Sequence, residues 1–178
     1  TSFYWSRANA YKDMKLYDEA IEDYSKIISI NPEDIGALRG RANAYEIKKL
    51  YDEAIEDYSK IISIDHTDIN AYWSRANAYK DMKLYDEAIE DYSKIIKIDP
   101  EDIGALRGRA NAYEFMELYD KAIEDYSKII SINPEDIGAL RGRANAYEFM
   151  ELYDKAIENY SKIISINPED IGALRGRA

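Results

Sequence analysis

The sequence predicts an all-α fold, a solenoid of antiparallel helix hairpins stacked in a row. Three observations predict it. The 178-residue chain repeats itself every 34 residues without insertion or deletion, which is the signature of a stacked array. Within each repeat, apolar residues recur at spacings of three and four, the period of an amphipathic helix. The composition includes 17 Tyr but 3 Phe and no Val, with only 4 Pro and 8 Gly, so strand formers and chain breakers are scarce.

The repeats are 1–34, 35–68, 69–102, 103–136 and 137–170, with a partial repeat at 171–178, and together they predict one solenoid domain over 1–178. The fourth and fifth repeats differ only where Asp125 becomes Asn159. The first and third share YWSRANAYKDMKLYDEAIEDYSKII. In the first helix of repeat one, Tyr4, Ala8 and Tyr11 form the stripe, with Met14 beside it. In the second helix the stripe is Tyr17, Ala20, Ile21, Tyr24, Ile27 and Ile28. Asp18 and Glu19 fall in its first turn, where the helix dipole favours acids, and Lys26 follows Glu22 by four, a favourable order for an ion pair. Pro32 ends the helix, and Asp34 is placed to cap the next one. A single hairpin leaves one apolar side open, so hairpins must stack on their neighbours.

These repeats resemble the tetratricopeptide repeat. The family pattern is a large residue, a tyrosine, an alanine, a later aromatic and a proline. Here these are Tyr4, Leu38, Tyr72, Leu106 and Leu140; Tyr11, Tyr45, Tyr79, Tyr113 and Tyr147; Ala20, Ala54, Ala88, Ala122 and Ala156; Tyr24, Tyr58, Tyr92, Tyr126 and Tyr160; and Pro32, Pro100, Pro134 and Pro168. The resemblance implies a right-handed superhelix whose first helices line a concave groove. Several places depart from the family. Its Leu-Gly is Arg-Ala here, as in Arg7-Ala8. An arginine near the packed face needs a partner, so Arg7–Asp23 and its equivalents are expected to bridge the two helices of a repeat. Asn159 should pair Arg143 less well. The glycine that usually ends the first helix is Lys15, Lys49, Lys83, Glu117 or Glu151, which predicts a left-handed backbone there at modest cost. Ile27 and its equivalents replace a small residue and bear on how closely repeats stack. His66 replaces the second repeat's proline.

The net charge of −11 argues against general nucleic-acid binding. No run of 18 apolar residues suits a membrane span. Without cysteine, disulfides and thiolate chemistry are excluded, while the compartment stays open, with the cytoplasm the expectation. One histidine and no nucleophile or phosphate-loop motif exclude a recognisable catalytic site, and no cofactor is implied. Asp65, His66 and Asp68 read as helix termination rather than a metal site. The NYS triplet at Asn159 falls inside a predicted helix and is discounted as a glycosylation site.

If the family geometry holds, the groove residues are Trp5, Asn9, Lys12, Arg39, Asn43, Ile47, Trp73, Asn77, Lys80, Arg107, Asn111, Phe115, Arg141, Asn145 and Phe149. Asparagines serve a peptide backbone, arginines a carboxylate, and aromatic rings an apolar anchor. Gly36, Gly40, Gly104 and Gly108 are expected to leave space around the arginines, and the first helices to be basic in spots. Arg39, Asn43, Asn77 and Arg107 match four places of the clamp by which some family members hold a terminal carboxylate. The fifth place, Asn111, is not basic, and the dedicated clamp is disfavoured. The expected function is non-enzymatic: holding a protein or peptide segment with acidic and apolar groups. The alternative is an engineered or idealised array without a native ligand. The segment 171–178 is expected to pack on the preceding helix and expose apolar surface, with end-to-end self-association the further expectation.

Overall fold

The computed structural model describes residues 1–177, and the last residue of the partial repeat lies outside them. The described residues form eleven helices and no strand. These are α1 (Ser2–Asp13), α2 (Tyr17–Ile30), α3 (Ile35–Ile47), α4 (Tyr51–Ile64), α5 (Ile69–Asp81), α6 (Tyr85–Ile98), α7 (Ile103–Phe115), α8 (Tyr119–Ile132), α9 (Ile137–Phe149), α10 (Tyr153–Ile166) and α11 (Ile171–Arg177). The chain divides into two compact units, 1–91 and 92–178, with the boundary inside α6. In the first unit α1 packs on α2, α2 on α3, α3 on α4 and α4 on α5. In the second, α7 to α11 pack in the same serial way. The fold is the predicted all-α solenoid of helix hairpins.

Helix boundaries follow from local chemistry. The aspartates at 34, 68, 102, 136 and 170 each accept the backbone N–H three residues on, at 2.8–2.9 Å, satisfying one of the orphan donors of the helix start. Each first helix ends in the double hydrogen bond of a Schellman motif: Leu16 N–H donates to the Tyr11 carbonyl and Lys15 N–H to Lys12. The residue that this motif sends left-handed is Lys15, Lys49, Lys83, Glu117 or Glu151, with φ between 59° and 61°, as expected from the missing glycines. Second helices end in an Asx turn, in which the Asn133 side chain accepts from Glu135 N–H at 3.2 Å. In the second repeat Asp65 does the same for Thr67, through its N–H at 2.9 Å and its hydroxyl at 2.7 Å. That turn ends α4 without the proline that His66 replaces.

Packing between repeats pairs large residues with small ones. Tyr24 and Ile27 are buried together with Ala8, Ala20 and Ala37, so the bulk of Ile27 is met by the small Ala37 of the next repeat. The glycines also serve this contact rather than leaving open space. A Cβ at Gly142 would lie 2.4 Å from the Tyr126 ring, Gly40 and Gly108 sit likewise under Tyr24 and Tyr92, and Gly36 meets Trp5. The expected clearance is filled because the preceding repeat's aromatic side chain uses it.

The Arg–Asp bridges form as expected. Arg7, Arg41, Arg75 and Arg109 each hold Asp23, Asp57, Asp91 and Asp125 through two nitrogens, at 2.6–2.8 Å. From the second repeat on, the remaining guanidinium nitrogen donates to a serine of the preceding repeat, as Arg109 does to Ser93 at 2.9 Å. One arginine therefore ties together three helices, a link absent from the sequence-level reading. In place of a carboxylate, Arg143 meets the neutral Asn159 oxygen, shared by two nitrogens at 3.0 and 2.8 Å. Asn159 is 2% exposed, consistent with discounting it as a glycan acceptor. Chiefly Arg7, with help from Lys26, holds the Asp23 carboxyl below the usual carboxylate range. That stabilisation is present above the unfolded value near pH 4 and is lost as pH falls through the lower folded value. Lys26 pairs with Asp23, three residues back on the same helix, at 3.4 Å rather than with Glu22. At the other end, α11 packs on α10, burying Ala173 beside Tyr160 and Ile163 while Ile171 and Leu174 stay exposed.

Removing one partner of a buried pair strands the other charge. Arg109→Ala is expected to lower unfolding free energy by about 3 kcal/mol in urea denaturation, whereas a loss near zero would show that Asp125 is solvated. Glu117→Gly relieves a left-handed non-glycine residue and is expected to add about 0.5–1 kcal/mol by the same measurement. No gain would mean the backbone there is unstrained.

Candidate functional site

The predicted groove residues resolve into distinct groups. The asparagines are anchored from behind by the buried tyrosines. Tyr24, Tyr58, Tyr126 and Tyr160 hydroxyls meet the side-chain oxygens of Asn9, Asn43, Asn111 and Asn145 at 2.7–3.1 Å. Tyr126 also lies 2.8 Å from Glu114 Oε2, and Tyr58 lies 2.5 Å from Glu46 Oε2. A hydroxyl has one proton to give, so in these repeats the asparagine and the glutamate compete for it. The Tyr160 hydroxyl lies 2.9 Å from Asn145 Oδ1, with Glu148 a second acceptor, and an Asn145 oxygen engaged in this way leaves the amide N–H groups as that side chain's donors. Burial is the main cause raising the Glu46 and Glu114 carboxyls, against the tyrosine hydrogen bond, and Asp81 adds to the rise at Glu46. Burial, with Glu148 nearby, pushes the Tyr160 hydroxyl up to about 12.

The arginines are not basic spots. Arg39 pairs with Asp68, Arg107 with Asp136 at 2.7 Å and Arg141 with Asp170 at 2.5 Å. Each aspartate caps the first helix of the next repeat with one oxygen and takes the arginine of its own repeat with the other. Sequence reasoning assigned the cap and overlooked the second oxygen, although an Arg–Asp spacing of 29 residues recurs across repeats. The guanidiniums of Arg39 and Arg107, which the carboxylate clamp would need, are thus neutralised within the chain. The glycine two residues after the caps at Asp136 and Asp170 is where the arginine lies: a Cβ at Gly138 would be 2.6 Å from Arg107 Nη1, and one at Gly172 would be 2.5 Å from Arg141 Nη1.

The remaining candidates differ in exposure. Trp5 is partly buried, edge-on to Tyr24 at 5.7 Å and 77°. Trp73, Asn77 and Lys80 are half-buried, Lys12 is exposed, and Ile47 is 56% exposed. Asp65 and Asp68, set aside as metal ligands, are occupied by Thr67 and by Ala71 N–H and Arg39.

In the second unit the structure brings four candidates together. Asn111, Phe115, Asn145 and Phe149 line one cleft of ≈ 450 Å³ with Glu114 and Tyr119. Phe115 and Phe149 are 66% and 69% exposed, although they are among the largest apolar side chains. Phe149 stacks on Tyr119 with centroids 5.1 Å apart and planes 4° from parallel. Tyr119, the first residue of α8, reads in sequence as part of the packing stripe because its equivalents all start second helices. What reveals its role is Phe149 one repeat later, a contact with no local signal.

The tetratricopeptide repeat family model matches residues 6–34, 69–102, 104–136 and 138–170, and a second TPR repeat model matches 47–83. The chain belongs to the tetratricopeptide repeat family. The second repeat of this tetratricopeptide protein, the one carrying His66, is matched only by the second model, in shifted register. A crystal structure of MamA protein superposes with a TM-score of 0.85 at 26% identity, covering 96% of this chain and 93% of that one. A tetratricopeptide repeat protein from Parabacteroides merdae gives 0.85 at 22%, covering 99% and 70%. YrrB, described as a TPR protein with an unusual peptide-binding site, gives 0.80 at 19%, covering 98% and 90%. No curated protein matches the chain. By its family and fold the chain is an interaction scaffold in the general sense. Among the described residues no helix is long and apolar enough to cross a membrane.

Because Glu114 is raised in the folded state, the stability it contributes is present below its unfolded value and lost as pH rises through the folded one. Carboxyl-carbon NMR titration is expected to place Glu114 above an exposed glutamate near 4.3. Tyr126→Phe removes a hydrogen bond to the charged form and should raise it further. An unshifted or lowered value in that variant would show that the hydroxyl does not serve the carboxylate.

Proposed function

We propose that this tetratricopeptide protein holds a partner polypeptide segment in the second-unit cleft, without performing chemistry on it. The supporting observation is the pair of largely exposed phenylalanines beside the Tyr119–Phe149 stack. Large exposed aromatic rings cost free energy in water and are typical of surfaces that gain by being covered. The donors on Asn145 then meet a backbone carbonyl of the segment, which fixes an extended strand without requiring a particular sequence. The tyrosine anchors hold the asparagines in place before binding, so most of the ordering cost falls on the ligand. YrrB's described peptide-binding site lends support by analogy of fold.

The arginines contribute structure to this reading rather than ligand charge, since Arg107 and Arg141 already have carboxylates. The apolar part of the expected partner remains, and its acidic part loses its reason. Replacing both Phe115 and Phe149 by alanine is expected to weaken capture of a bound peptide at least about tenfold, measured by fluorescence anisotropy. The helical circular dichroism should not change, because both rings stand outside the core. Unchanged affinity would place the binding surface elsewhere.

A further inference from the structure

We infer that the cleft takes a cationic side chain, an arginine in preference to a lysine, next to the apolar residue held by its aromatic rings. This rests on the binding reading above and adds a charge to it.

The first argument is a contrast between Glu114 and the arginine-held carboxylates of the second unit. Asp125 is held by Arg109, Asp136 by Arg107 and Asp170 by Arg141. Glu114 lines the cleft, and its hydrogen-bond partner is the neutral Tyr126 hydroxyl. Burial weighs against its charge, and among the described residues of the second unit the tyrosine hydroxyl is what offsets that. A partly desolvated carboxylate without a counter-ion is a place where an incoming cation gains more than it would in open water.

The second argument is that the chain's nearby cations are engaged elsewhere. Arg107 and Arg141 are engaged with the capping aspartates, while Lys121 and Lys155 lie over the Tyr113 and Tyr147 rings at 5.6 and 5.4 Å. None of these four stands in for the cation proposed here.

The third is the shape of the surroundings. A guanidinium is flat, stacks on aromatic faces and presents a fork of donors at its edge. The cleft offers a carboxylate beside aromatic rings, one of which, Phe149, is stacked on one side and largely exposed. The protein already uses this combination on itself: Arg109 grips Asp125 through two nitrogens while lying 5.9 Å from the Tyr113 ring. A cleft of ≈ 450 Å³ lies within the range of roughly 300–1,000 Å³ typical of ligand sites. An acidic side chain in the same place would meet like charge at Glu114.

A displayed library of random short peptides, selected against the whole chain, against Glu114→Gln and against the Phe115→Ala/Phe149→Ala double variant, separates this inference from the reading beneath it. Glutamine keeps an acceptor for Tyr126 and removes only the charge. The expected result is enrichment of arginine beside an aromatic or aliphatic residue. By fluorescence anisotropy, such peptides should bind Glu114→Gln about tenfold more weakly than the parent, with a comparable loss when their arginine is changed to glutamine. Peptides that depend on the two phenylalanines but show no excess of basic residues, or are indifferent to Glu114→Gln, would overturn the cation subsite and leave the apolar cleft standing. Lysine enriched equally with arginine would overturn the preference. No enriched peptide, or enrichment untouched by the double variant, would overturn both claims. Circular dichroism of each variant confirms that the helices persist.

Discussion

The structure depends on one recurring side chain, the buried tyrosine of each second helix. Its ring lies on the first helix of the following repeat, where Gly142 leaves no room for a Cβ beneath Tyr126. Its hydroxyl points the other way, to Asn111 and Glu114 of its own repeat. The ring carries the apolar contact that lets one hairpin stack on the next, and the hydroxyl orients the polar residues of the cleft. Stacking and ligand-facing chemistry are thereby coupled: the cleft's asparagines are positioned only when the tyrosine beneath them is seated on the neighbouring repeat.

Charge is organised by the same economy. Buried carboxylates would be costly alone, and each receives an arginine with two nitrogens, while the third nitrogen reaches a serine one repeat back. Capping aspartates divide their oxygens between the start of the next repeat's first helix and the arginine of their own repeat. The bonds thus follow the direction of stacking, as expected of an array whose cohesion lies between neighbours. Asn159 breaks the pattern in a single repeat and leaves Arg143 on a neutral oxygen. Glu46 and Glu114 escape this pairing and stand beside the asparagines of their own repeats, which puts a carboxylate where the count of arginines suggested a cation.

Helix limits, the Asp34-type caps, the left-handed residues at Lys15 and its equivalents, and the Arg7–Asp23 bridges were all legible from the chain. Each depends on residues within about one repeat, and each has a strong local preference: a carboxylate at a helix start, a missing glycine at a helix end, a charge on an apolar stripe. Four cleft residues, Asn111, Phe115, Asn145 and Phe149, were also named from the repeat register. The signs of the site were harder to read. Arg39, Arg107 and Arg141 counted as free cations until the aspartate 29 residues on was seen to hold them.

By itself, then, the sequence determined the secondary structure, the hairpin unit and the family, because five in-phase copies repeat the same short-range preferences until no other period fits. Tertiary structure decided which polar groups were already paired, that glycines admit tyrosine rings instead of solvent, and that Tyr119 of one repeat stacks on Phe149 of the next. Those outcomes turn on distances between side chains in successive repeats, where a few ångströms separate an available charge from a neutralised one. No pattern along a single chain encodes such a distance until the hairpins have closed on each other.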